Sequence, residues 1–186
     1  MRKLIMWNLI TLDGFFEGEK GWDLSFHDQV WNDELEGFST EQLKSADMLV
    51  FGRVTYQGMA DYWPTAQNEG QTAFYMNKLS KLACSTTLKN GSWNNTTLVR
   101  DAVAEIPILK QQGNGNMFVF GSGNLSQTLT RHNLFDEYRL LIVPVFLGKG
   151  RILFTQDPTS HPLKLLEARS LKSGGVILRY APALQK

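Results

Sequence analysis

The apolar residues of this chain fall in short blocks separated by polar and glycine-rich breaks, and the period changes from block to block. Residues 2–12 (RKLIMWNLITL) are apolar almost throughout, which predicts a strand buried on both faces in the middle of a sheet. Asp13-Gly14 ends it, and residues 17–32 mix glycines with polar and aromatic side chains, as a loop does. From 32 to 44 the spacing becomes helical, with Leu35, Phe38 and Leu43 toward a core. Residues 47–51 form a short buried strand stopped by Gly52, and 53–61 a short helix broken by Tyr62-Trp63-Pro64. A second amphipathic helix is expected over 71–79, with strands over 81–85 and 96–99. Asp101 is a natural N-cap for the helical segment after it, in which Pro107 predicts a kink or an end. Residues 117–120 read as a strand, 125–131 as a helix and 137–145 as a long apolar strand. Residues 163–171 and 176–180 flank Ser173-Gly174-Gly175 as a terminal hairpin. Strands alternate with helices for about two-thirds of the chain and dominate its end. That order predicts an α/β fold, a mostly parallel sheet with antiparallel C-terminal strands.

Composition narrows the function. The 186 residues suit a single domain over 1–186, and eleven Phe, five Trp and five Tyr fill a core without staples. The net charge is +1 with no block of like charge, so the basic stripe of a nucleic-acid binder is missing. No run reaches the length of a membrane helix, and Asn8 and Asp13 interrupt the N-terminal block where a signal peptide would be apolar. One cysteine, Cys84, excludes an intrachain disulfide, which together with the N-terminus leads to the expectation of a cytoplasmic protein. Cys84 sits in a strand with no activating base beside it in sequence and reads as an inert thiol. His132 and His161 lack ligand spacing, so no metal is assigned.

Three strand-to-turn junctions carry chemistry suited to phosphate. Gly121-Ser122-Gly123, followed by Asn124 and Leu125, is either a cradle at a helix start or a turn whose glycines serve geometry alone. It is not a dinucleotide fingerprint, because Ser126 stands at the third glycine position and the segment comes late in the chain. Gly52-Arg53-Val54-Thr55 places a cation and a hydroxyl in the first turn of a helix. A cation there opposes the helix dipole unless an anion accompanies it. Ser85-Thr86-Thr87 offers hydroxyls, with Lys89 and Arg100 near in sequence, or is an ordinary Ser/Thr turn. Ligands of open α/β sheets bind beyond the carboxyl ends of the strands, where all three junctions lie.

Trp7 to Phe15 (WNLITLDGF), Val50 to Tyr56 (VFGRVTY), Val119 to Gly123 (VFGSG) and Pro144 to Gly150 (PVFLGKG) with Phe154 stand in the order found in dihydrofolate-reductase-like proteins. The chain resembles the branch formed by the C-terminal reductase domain of bifunctional riboflavin-biosynthesis enzymes (the RibD C-terminal domain). That resemblance spans almost the whole chain. It implies a central sheet of about eight strands flanked by helices, NADPH as cofactor and a homodimer. By it Gly52, Arg53 and Thr55 lie on the cofactor phosphates, Ser85, Thr86 and Thr87 at the adenosine 2′-phosphate, and Gly121, Ser122, Gly123, Asn124 and Leu125 at the pyrophosphate. Asp13 and Gly14 would begin the loop over the nicotinamide. The expected substrate is a small pteridine-like or ribosylaminopyrimidine-like heterocycle. No deaminase domain is expected beside this one, because the chain is short and has no Cys/His zinc cluster.

Reduction of a C=N or C=O group also needs a proton. By the same resemblance Asp28, three residues before Trp31, stands where dihydrofolate reductases carry a buried acid; the other reading is a solvated helix cap. His27 and water are the alternatives, and Asp13 either caps its turn or reaches the substrate. A nucleotide-binding or dimeric interaction protein without catalysis is the second function class. Lys20 is the lone Lys or Arg in the loop expected to contact substrate, which leaves a phosphate-bearing substrate open.

Overall fold

The computed structural model describes residues 1–66, 69–155, 157 and 159–183. Its centre is the strand β1 (Leu4–Thr11), buried at every position. Alternate side chains explain why the run is apolar on both faces. Ile5, Trp7 and Leu9 enter one core with Phe118, Leu141 and Ile177, while Leu4, Met6 and Ile10 enter a second with Val119, Leu129 and Phe135.

Next along the chain come β2 (Phe15–Glu17), a 3-10 turn at Ser25–Gln29, α1 (Asp33–Ser45), β3 (Ala46–Gly52), α2 (Arg53–Tyr62), a 3-10 turn at Trp63–Thr65, α3 (Gly70–Lys78), β4 (Ser80–Cys84) and β5 (Thr96–Val99). Then follow α4 (Ala102–Lys110), β6 (Asn116–Phe120), α5 (Gly123–Arg131), β7 (Glu137–Val143), β8 (Arg151–Ile152), β9 (Leu163–Ser170) and β10 (Val176–Pro182). The main sheet has eight strands in the order β5-β4-β3-β6-β1-β7-β10-β9. The first six run parallel, and β10 and β9 add on antiparallel, so the fold class expected from the alternation holds.

Local signals account for most boundaries. Asn32 caps α1 by accepting from Leu35 N at 3.1 Å, and Asp101 caps α4 by accepting from Val103 N and Ala104 N. Pro107 does not end the helix: α4 runs through it to Lys110. It removes only the N–H that would meet the Val103 carbonyl, and burial of the adjacent Ile106 holds the helix onto the sheet. The helix expected to start at Leu125 starts two residues earlier, at Gly123, and β7 ends at Val143 rather than 145. A small ribbon of β2 paired antiparallel with β8 lies in segments read as loop.

The register decides what the sheet edge presents. Gly52 pairs with Cys84, Val50 with Val119, and Trp7 with Phe120. The turns after β3, β4 and β6 therefore leave the sheet side by side.

Candidate functional site

These turns open into a cleft of about 920 Å³ bordered by residues of β1, α1 to α5 and the loop after β2. Gly52, Arg53, Thr55, Ser85, Thr86 and all of Gly121 to Leu125 border it. The ten residues singled out for a cofactor, scattered over seventy positions of sequence, thus meet at one place.

Hydrogen bonds show which groups remain for a ligand. Gly121 N donates to Asn8 Oδ1 at 2.8 Å, Ser122 N to Thr55 Oγ1 at 3.0 Å, and Gly52 N to Ser122 Oγ at 3.0 Å. Ser122 Oγ donates in turn to the Phe120 carbonyl at 3.1 Å. The glycine-rich turn is therefore a strap that joins β1, β6 and the start of α2, and its own first N–H groups are engaged. Gly121 has φ +54 and Ser122 φ 55, left-handed values that glycine adopts freely and serine does not. The three bonds of Ser122 hold it there.

What the strap leaves open are the first turns of α2 and α5. Neither helix has a side-chain cap; the first bond of α5 is Ser126 N to the Ser122 carbonyl. The amides of Gly123, Asn124 and Leu125 in α5, and of Arg53, Val54 and Thr55 in α2, carry the positive ends of two helix dipoles. The Thr55 hydroxyl accepts from Ser122, so its hydrogen is left to donate. Arg53 is exposed and held by Gln57 at 2.9 Å. Gly123 lies under the Phe16 ring: a Cβ there would stand 2.9 Å from Phe16 Cζ.

At the far end Ser85 builds rather than binds. Its Oγ accepts from Thr87 N at 3.1 Å and Leu88 N at 2.9 Å. Arg100 Nη1 donates to the Ser85 carbonyl at 2.7 Å, which sets the exposed guanidinium beside the exposed Thr86 and Thr87 hydroxyls. Arg100 borders the cleft and is a stronger anion group than Ser85. Cys84 also borders the cleft; burial pushes its thiol up to about 12, so it stays protonated.

The two aspartates stand elsewhere. Asp13 does not border the cleft: its carboxylate accepts from Thr11 Oγ1 at 2.5 Å, Leu147 N at 3.2 Å and Gly148 N at 2.8 Å, clamping the turn after β1 to the turn after β7. Partial desolvation raises its pKa, and these hydrogen bonds outweigh that and leave it below the ordinary range. Asp28 is exposed on the 3-10 turn and also lies outside the lining, whereas its neighbour His27 borders the cleft. Desolvation pushes His27 down to about 4, against a small opposing pull from Asp28, so the imidazole is neutral at pH 7. Trp22, another bordering residue, lies on Gly58 of α2, where a Cβ would overlap the indole. Glu17, buried, holds this loop by accepting from Trp22 N at 2.6 Å and Arg151 Nη1 at 2.9 Å.

The model of the RibD C-terminal domain family matches residues 2–178. The chain belongs to that family. The chain is 29% identical over 186 residues to the uncharacterized protein YyaP of Bacillus subtilis strain 168, covering 96% of this chain and 94% of that one. A solved protein assigned to riboflavin biosynthesis from Shewanella sp. PV-4 superposes with TM-score 0.79 at 22% identity, over 97% of this chain and 99% of that chain. The diaminohydroxyphosphoribosylaminopyrimidine deaminase/5-amino-6-(5-phosphoribosylamino)uracil reductase of Thermotoga maritima superposes with TM-score 0.70 at 13% identity. This chain is covered to 98% there and spans 57% of that protein. The cleft thus sits on a reductase-like fold. Among the described residues, no helix is long and apolar enough to cross a membrane.

Proposed function

We propose that the protein is an NADPH-dependent reductase of a small heterocycle. One observation carries this reading: two uncapped helix N-termini, α2 and α5, open side by side into the cleft between Arg53 and Arg100. Their amides suit a pyrophosphate, and Arg100 with Thr86 and Thr87 suits the 2′-phosphate that distinguishes NADPH from NADH. When bound, NADPH supplies the hydride. The chain's own part is to place it: Asn8 and Thr55 fix the strap, Phe16 closes over Gly123, and Trp22 walls the cleft from solvent.

The proton that accompanies the hydride comes from solvent at the cleft mouth rather than from a carboxylic acid. Asp28 is outside the lining, Asp13 is ionised and bound to backbone amides, and His27 is neutral at pH 7. Turnover therefore lacks the histidine inflection near ~6.5 that an acid–base imidazole would give. The same placement of the aspartates favours a second reading, a nucleotide-binding protein without turnover. NADPH oxidation followed at 340 nm with dihydrofolate, a ribosylaminopyrimidine and simpler diones separates the two. In either case the assembly we propose is a homodimer in the cytoplasm, with the exposed Leu163, Leu165 and Leu166 of the edge strand β9 as its supporting surface.

A further inference from the structure

With the phosphates of a cofactor on α2 and α5, the other half of the cleft lies under α1 and the loop before it, on the opposite face of the sheet from α5. Trp7, Trp22, Trp31, Trp63, Met59 and Met76 wall it. Among these apolar walls stand Gln42 and Ser39, one helical turn apart on α1, and His27. Among the described residues, Gln42 Nε2, Ser39 Oγ and His27 Nε2 are buried without a partner, as is Asn8 Nδ2 at the junction of the two halves.

The orientation of both amides is forced. Gln42 Oε1 accepts from Arg139 Nη1 at 3.1 Å and Asn8 Oδ1 accepts from Gly121 N at 2.8 Å. An arginine and a backbone N–H can only donate, so in each amide the –NH₂ is the group left over. Gln42 is 3% and Asn8 6% exposed, and buried donors without acceptors are costly unless a ligand supplies them.

Charge is as selective as hydrogen bonding. Among the described residues that border the cleft the cations are Arg53, Arg100 and Arg151. Arg53 and Arg100 stand at the helix starts, and Arg151 is paired with Glu17 at 2.9 Å. The first turn of α3, whose Thr72 reaches the cleft, is preceded by the acidic Glu69. A phosphate dianion in this half would lose its water without gaining a cation. The bordering carboxylates are Glu17, engaged by Trp22 N and Arg151, and Asp101, which caps α4 in the cofactor half. The amino edge of a 2-aminopyrimidine therefore meets no free carboxylate in this half, and it offers one carbonyl where the two orphaned –NH₂ groups call for two.

We infer that the substrate is an uncharged planar heterocycle that presents two ring carbonyl groups to Gln42 and Asn8 and carries no phosphate. This rests on the reductase reading, and it departs from both a pterin and a ribose-phosphate substrate. The test is tryptophan fluorescence titration with lumazine, a neutral bicyclic dione, and with pterin, each with and without saturating NADP⁺. Lumazine is expected to bind about tenfold or more tightly than pterin, and ribose 5-phosphate at about 10 mM is expected not to displace it. Gln42→Leu, or Gln42→Glu should that variant not fold (it keeps the acceptor for Arg139 and removes the –NH₂), is expected to weaken lumazine about tenfold with NADP⁺ affinity unchanged. Absent lumazine binding, equal binding of pterin, displacement by ribose 5-phosphate, or full lumazine affinity in a folded variant would each overturn the inference. Direct NADP⁺ titration of the same samples reads the reductase proposal separately, because the lumazine arm is also run without it.

Discussion

Gly52 N donates to Ser122 Oγ at 3.0 Å across seventy residues of sequence, and this bond makes one site of two turns. Ser122 is strained by its left-handed backbone and held by that bond, by Thr55 and by the Phe120 carbonyl. Ser122→Ala keeps the strain and leaves Gly52 N without its acceptor. It is expected to lower stability by about 1–3 kcal/mol by urea denaturation. Ser122→Gly loses the same bond but relieves the backbone, so it should fall less.

Gly123 is the position where space, not conformation, requires glycine. Gly123→Ala presses the Phe16 ring and Gly123→Val presses it further. The expected result is NADPH affinity lowered in the order Gly, Ala, Val, with Val down by about tenfold or more and an unchanged far-UV spectrum. The check is isothermal titration of the three proteins.

Arg100 is expected to set the cofactor preference. Arg100→Ala removes a charged donor beside Thr86 and Thr87, and should weaken NADPH by about 10- to 100-fold while NADH binding changes little. Parallel titrations with the two cofactors read this directly. Equal losses for both would place Arg100 on the shared pyrophosphate instead.

His27 gives the fold an acid-sensitive point. Its pKa is about 4 folded against an ordinary 6.5, so between these values the unfolded chain binds more protons. Its contribution is complete above pH 6.5 and is lost as the pH falls toward 4, up to about 3 kcal/mol. The stability from urea denaturation at pH 7.5 minus that at pH 4.5 should be smaller in His27→Gln than in the parent protein by about 2–3 kcal/mol.

How much of this was legible in the sequence follows from the range of the interactions. The strand ends were, because an apolar run stopped by Gly52 or Gly121 is a local signal. The sharing of donors was not: the acceptor for Gly121 N is Asn8, 113 residues away. The one trace of it is a polar residue in the middle of the most apolar strand. Asp28 shows the reverse case. Its spacing to Trp31 matched a motif, yet the 3-10 turn directs His27 and not Asp28 to the cleft. Gly58 carried a signal too, a glycine inside an expected helix, whose reason is the indole of Trp22 lying on it. The β2–β8 ribbon, three residues against two, is too short for any periodicity to register.

That α2 and α5 hold the phosphates of NADPH is tested by cofactor titration. Trp7, Trp22, Trp31 and Trp63 border the cleft, so bound nicotinamide should quench their emission and gain its own by energy transfer. The prediction is saturable quenching with a Kd in the micromolar range, about 1–100 μM, raised about tenfold or more in Gly123→Val. No quenching and no thermal stabilisation at about 1 mM NADPH would contradict it.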